Sequence, residues 1–183
     1  PLCMYNAPTT VVTMLRIPES RALSEFSFMT YHRIHNRGNG THSSRSSRCS
    51  HAEFAKWSSD TYRFNWQVSF LAGKRWSASV PPVYANATPS DLSFLRRRME
   101  AGALVVGVFE MYTQSIAYIA SRIGVTAPSL QRIQESYAVS AKARPRFGCT
   151  GNLLPSRQDN TLDTILYDAA KRRVRQYMIT KAL

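Results

Sequence analysis

Apolar side chains recur along this chain in two rhythms, and each predicts a different element. Residues 9–17 (TTVVTMLRI) are rich in β-branched types and predict a strand. Pro18 follows where its missing N–H costs a helix nothing, and Leu23, Phe26 and Met29 share one face of a helix predicted to end at about His35. Between 62 and 70 the rhythm changes. Phe64, Trp66, Val68 and Phe70 alternate with polar residues, which is the period of a half-buried strand. Pro81, Pro82 and Pro89 then interrupt the chain. Ser90 as N-cap, with Asp91 in the first turn, opens a helix predicted to continue to Ile123, where Gly124 closes it. Its middle, residues 101–111, is apolar almost all round, so this long helix is expected to cross the core. A short helix is predicted over 128–139, with Arg132 and Glu135 three apart on one face. Asn160 is the expected cap of a final helix, in which Leu162, Ile165, Leu166, Ala169, Val174, Tyr177 and Met178 approximate one stripe. Lys171, Arg172, Arg173 and Arg175 crowd its C-terminal half, where the helix dipole favours cations and gives the cluster a structural role.

These elements add up to an α/β (α+β) fold with a central long helix, flanking helices and a small sheet. At 183 residues the chain is expected to form a single domain over 1–183, with enough length to bury a core. A hydrophobic fraction of 44% excludes a disordered basic tail. Charge narrows the partners: 24 Lys and Arg against 11 Asp and Glu leave a formal net charge of +13, which favours nucleic acid, nucleotides or an anionic membrane face. Nineteen of the 24 basic residues are Arg, whose guanidinium binds phosphate in bidentate fashion and stacks on bases. Arg-rich coding from a GC-rich genome is the plainer alternative. The longest apolar run, 101–109, is too short to span a bilayer. Cys3, Cys49 and Cys149 form no C-x-x-C pair, and so sparse a set points to a reducing compartment. The chain begins at Pro1 rather than Met, and the expectation is that a segment was removed, a targeting sequence being one candidate.

Candidate chemistry concentrates in residues 36–50 (NRGNGTHSSRSSRCS), a basic loop almost without apolar side chains. Its glycines, hydroxyls and the guanidinium groups of Arg37, Arg45 and Arg48 suit phosphate oxygens, and the same composition also describes a disordered loop. Arg96, Arg97 and Arg98 form a second cluster. On a helix they project over most of the circumference, so at least one is expected to face a partner or a groove, with a solvated helix end as the alternative. All four histidines, His32, His35, His42 and His51, lie within twenty positions of one another. His35, His42, Cys49 and His51 could supply zinc ligands, but the spacing matches no familiar pattern, and no metal site is expected. No G-x-S-x-G, H-E-x-x-H, Walker or Rossmann fingerprint occurs, so hydrolytic catalysis has no support.

The run LRIPESRALSEFSFMTYHRIHNRGNGTHSSRSSR at 15–48 resembles the signature of flavin-dependent thymidylate synthases, in which a strand and a helix ending in His-Arg lead into a Ser- and Arg-rich nucleotide loop. Residues 124–137 (GVTAPSLQRIQESY) are similar to a second stretch of that family, with Gln131-Arg132 where the family has Asn-Arg, and Glu135 and Tyr137 in place. The order of the later helices, the last preceded by Arg157, follows the family too. The resemblance implies that His32 and Arg33 contact flavin, that Ser43, Ser44 and Arg45 cradle a nucleotide phosphate, and that Arg132 and Arg157 are further nucleotide ligands. Departures accompany it. The spacing from His32-Arg33 to Ser43-Ser44-Arg45 is lengthened, Val125-Thr126-Ala127 stands where one branch has His-Lys-Gln, and no Ala-Gln follows Arg157. A hydride-transfer site tolerates little misplacement, so the resemblance implies an eroded active site.

The expected function is therefore noncatalytic: a basic RNA-binding subunit of a ribonucleoprotein assembly, with an organellar (mitochondrial) ribosome favoured, RNA and neighbouring proteins as partners, and no cofactor. One alternative is a working, tetrameric flavin-dependent thymidylate synthase that methylates dUMP with FAD, reduced nicotinamide and methylenetetrahydrofolate. Another is a viral capsid or nucleocapsid protein. RNA contacts are expected from Arg37, Ser43, Ser44, Arg45 and Arg48, from Arg96, Arg97 and Arg98, and from Arg132 and Arg157.

Overall fold

The computed structural model describes residues 9–35, 54, 56–57, 64–74, 86–125 and 160–182. Their elements run in the order β1 (Val11–Leu15), α1 (Pro18–His35), α2 (Trp66–Leu71), α3 (Pro89–Glu100), β2 (Leu104–Val108), one 3-10 turn (Phe109–Met111), α4 (Tyr112–Ile123) and α5 (Thr161–Ala182). The fold is mixed α/β and mostly helical, with one two-stranded sheet among the described residues. The strands run parallel, in register from Val11 opposite Leu104 to Leu15 opposite Val108. The strand and helix expected over 9–35 both form, with Pro18 as the first helical residue. The helix expected over 128–139 lies outside the described residues.

The central long helix does not form. Its predicted span divides into α3, β2 and α4. Gly102, at φ +73°, takes the left-handed conformation that ends a helix, and the amides of Ala101 and Gly102 close the last turn on the carbonyls of Arg97 (2.9 Å) and Met99 (3.3 Å). Val105, Val106 and Val108 then favour extended backbone, and all five residues of β2 are buried. A parallel strand covered on both faces reads as an unbroken apolar run, which periodicity cannot separate from a buried helix. Only the end of the predicted helix holds: α4 closes at Gly124, left-handed at φ +74°. Its start moves as well. Thr88, not Ser90, is the N-cap of α3, in a capping box where Thr88 Oγ1 accepts from the Asp91 amide (3.3 Å) and Asp91 Oδ2 accepts from the Thr88 amide (2.6 Å).

The strand predicted over 62–70 is also corrected, because Trp66–Leu71 is helical. Asn65 enters it at φ 53°, and the first amides of α2 point at the start of α5. There the Asp163 carboxylate accepts from the Gln67 amide (3.0 Å) through Oδ2 and from the Val68 amide (2.8 Å) through Oδ1. Asn65 reciprocates: its Oδ1 accepts from the amides of Leu162 (2.8 Å) and Asp163 (3.1 Å), while Asn160 Oδ1 accepts from the Asn65 amide (3.1 Å). Two helix N-termini thus cap each other across some 95 residues of sequence. The Gln67 side chain, also buried, pairs with the Arg16 backbone: Oε1 accepts from the amide and Nε2 donates to the carbonyl, both at 3.1 Å. That bond pair fixes α2 against the end of β1.

β2 separates two packed regions. Leu104, Val106 and Val108 join Leu15, Leu92, Leu95, Met99, Leu166 and Ala170, whereas Val105 joins Tyr118, Ile119 and Val174. The alternation is that of a strand covered on both faces. On the second face the packing is so close that a Cβ on Gly107 would clash with Met14 Sδ of β1 and sit 2.8 Å from Ser115 Cβ of α4. Ser115 Oγ accepts from the Val108 amide (2.8 Å) and donates to the Val108 carbonyl (2.9 Å), pinning α4 to the strand end.

Gly107→Ala is expected to destabilise the fold by about 1–3 kcal/mol, measured by urea denaturation, because the added methyl overpacks β2 against Met14 of β1 and against α4. A second expectation concerns pH. Burial pushes the Asp163 carboxyl above its ordinary value of 3.8, a shift that the Val68 and Gln67 amides and the nearby Arg21 charge reduce without cancelling. Its contribution to stability is therefore complete below 3.8 and is lost as pH rises through the higher folded value. Wild-type protein should lose stability over that rise relative to Asp163→Asn, read from denaturation midpoints at a series of pH values.

Candidate polyanion-binding groove

α3 and α5 meet side by side, and their facing surfaces leave a groove of about 270 Å³ lined by Arg96, Met99, Glu100, Ala169, Arg172, Arg173 and Gln176. The spacing explains the convergence. Arg96, Met99 and Glu100 stand three and four apart on α3, and Ala169, Arg172, Arg173 and Gln176 repeat the same interval along α5, so each set occupies one helical face. Met99 and Ala170 anchor the two helices in the core, which carries the neighbouring polar positions to the rim. Arg96 and Arg172 are exposed there. Arg173 is half-buried, and its Nη1 donates to the Met99 carbonyl at 2.9 Å. That carbonyl belongs to the last turn of α3, where backbone acceptors lack helical partners and the dipole is negative. Three guanidinium groups against one carboxylate leave the groove cationic.

This geometry changes the role of the C-terminal arginines. They lie in the middle of α5, which continues to Ala182 with only Lys181 basic in its last turn, so the expected interaction with their own helix dipole does not apply. The dipole that Arg173 meets is that of α3. Within the Arg96–Arg98 cluster the three side chains also part. Arg96 lines the groove and Arg97 is exposed. Arg98 folds back, with its guanidinium 5.7 Å from the centre of the Phe94 ring and Nη2 3.5 Å from the Ala103 carbonyl.

Of the other expected site residues, His32 and Arg33 fall in the last turn of α1, with side chains outside the described residues. Arg37, Ser43, Ser44, Arg45 and Arg48, the whole of the 36–50 loop, Arg132 and Arg157 lie outside them too, as do His42, His51 and the three cysteines. Among the described residues no three His, Cys, Asp or Glu side chains gather as a metal site, and no helix is long and apolar enough to cross a membrane. Sequence reasoning missed Arg172, Arg173, Glu100 and Gln176 as groove residues. The signal was present as the polar i, i+3, i+4 interval shared by two helices, but nothing local said that those faces meet. Compared with protein-family profiles, curated proteins and solved structures, the chain matches none.

Arg173→Ala is expected to lower stability by about 1 kcal/mol in thermal or urea unfolding, since it removes the shorter of the two bonds to the Met99 carbonyl and leaves the 3.3 Å bond from the Gly102 amide. Arg172→Ala, a neighbour with an exposed side chain, should stay within about 0.5 kcal/mol of wild type.

Proposed function

We propose that the protein is a noncatalytic RNA-binding subunit of a ribonucleoprotein assembly, with a mitochondrial ribosome as the favoured setting. The observation that carries this reading is the convergence of Arg96, Arg172 and Arg173 on one groove in a chain of net charge +13. Guanidinium groups bind phosphate oxygens bidentately, and a row of them tracks a backbone of repeated charge. Glu100 and Gln176 add acceptors to the same groove, which suit the ribose 2′-hydroxyl that distinguishes RNA from DNA. Arg37, Arg45 and Arg48 of the 36–50 loop, with Arg132 and Arg157, extend the basic set by sequence. The flavin-dependent alternative keeps one supporting observation, the passage from β1 into an α1 that ends at His35, which follows the element order implied by the resemblance. Stoichiometric FAD in the purified protein would favour that alternative.

The groove is tested by two charge-matched double variants. Arg96→Ala with Arg172→Ala removes two groove charges, and Arg97→Ala with Arg175→Ala removes two exposed charges outside the groove lining. The groove pair is expected to weaken binding to single-stranded RNA more, and to reduce the slope of log K against log salt by about 1.4 units, roughly 0.7 per lost phosphate contact. Equal effects from both pairs would leave only diffuse basicity, and failure of the wild type to bind RNA at low salt would overturn the reading.

A further inference from the structure

Among the described residues the most exposed large apolar side chain is Phe70, at 61% of its full accessibility. Its ring does not project freely. It stacks on Trp66, one helical turn earlier on α2, with centroids 4.9 Å apart and planes only 9° from parallel. Trp66 is in turn approached by the Arg21 guanidinium, 5.2 Å from the ring centre, and Arg21 is held by Glu25 at 2.6 Å. Cation, indole and phenyl form an ordered series whose terminal member is open to water. Stacked aromatic pairs prefer an offset or tilted approach, and a flat pair with one exposed member presents a planar apolar surface of the size of a base. A surface of this shape in a chain of net charge +13 is complementary to a partner that is planar and anionic at once.

Resting on the RNA-binding reading above, we infer that the open face of Phe70 is a stacking site for an unpaired nucleobase, backed by Trp66 and Arg21. α2 packs against both helices that build the basic groove, α3 and α5. A single strand has unpaired bases that can extend the stack. A duplex cannot, since its bases are already stacked and paired. The site selects unpaired RNA where the groove alone would accept any polyanion, and it does so through ring area with no charge of its own. Purines, with the larger π-surface, should be preferred over pyrimidines.

The test uses the full chain and two probes, labelled oligoadenylate and a fully paired RNA duplex of equal length, in fluorescence anisotropy titrations. Phe70→Ala should weaken oligoadenylate binding about 5- to 100-fold, leave the duplex unaffected and keep the salt slope of the wild type, because no charge is lost. Phe70→Leu should behave like the alanine variant despite its apolar bulk, whereas Phe70→Trp should bind oligoadenylate at least as well as wild type. Phe70 is solvent-facing, so all three should fold, which circular dichroism checks. Wild-type affinity for oligoadenylate in both Phe70→Ala and Phe70→Leu would overturn the stacking site and leave the groove reading intact. Equal losses on oligoadenylate and duplex would overturn it as well. A wild type that binds neither probe would instead defeat the RNA-binding reading on which the site rests.

Discussion

Asp163 and Asn65 stand at facing helix ends, and each supplies what the other's backbone lacks. The first amides of any helix have no carbonyl to bond, and a buried one left without an acceptor costs about 1–3 kcal/mol. Here Asp163 takes those of Gln67 and Val68, Asn65 takes those of Leu162 and Asp163, and Asn160 takes that of Asn65. Asp163 is fully buried, and its two carboxyl oxygens sit where the N-terminal ends of two helices meet. The arrangement positions much else. It orients α2, so that Gln67 reaches the Arg16 backbone behind β1, and it fixes where α5 starts, so that Leu166, Ala170 and Val174 meet the two faces of β2. The register of α5 then decides which arginines reach α3.

How far the fold could be seen in the sequence depended on whether an element is settled by its own residues. β1 and α1 were legible because β-branched clustering, Pro18 and the apolar face lie inside the elements themselves. α5 was legible for the same reason. α2 was not: Phe64, Trp66, Val68 and Phe70 alternate as a strand would, and the acceptors that make the segment helical come from Asp163, far along the chain. β2 was hidden differently. Its surroundings make it apolar on both sides, so the cue had to come from Gly102 and the valines, and the strong helical pattern on either side outweighed them. Gly107 carries a related message, because a glycine in a strand marks close approach, here by Met14 of β1 and by α4.

The candidate site was legible in kind and not in place. An excess of Arg pointed to phosphate, and at least one of Arg96, Arg97 and Arg98 was expected to face a partner or a groove. The partner side of that groove was assigned to a helix end because four cations fall late in the sequence of α5. Sequence position alone does not locate a helix terminus, and α5 continues beyond them to Ala182. The arginines divide by what their guanidinium groups meet. Arg173 caps α3, Arg98 covers Phe94, Arg21 covers Trp66, and Arg96 and Arg172 face the solvent at the groove. Net charge counts these five alike, while of the five Arg96 and Arg172 are the ones with exposed side chains.

α2 has only six residues, well short of the length at which a helix holds by itself in water, and two of its first amides depend on Asp163. The consequence is one of timing. During synthesis residues 66–71 leave the ribosome long before residue 163 exists, and until it arrives the backbone has no reason to bring Trp66 and Phe70 into a stack. The aromatic surface is thus a property of the finished chain and of no N-terminal fragment. A nascent chain would carry the charge of its early arginines first, and would acquire its flat apolar face only when α5 docks.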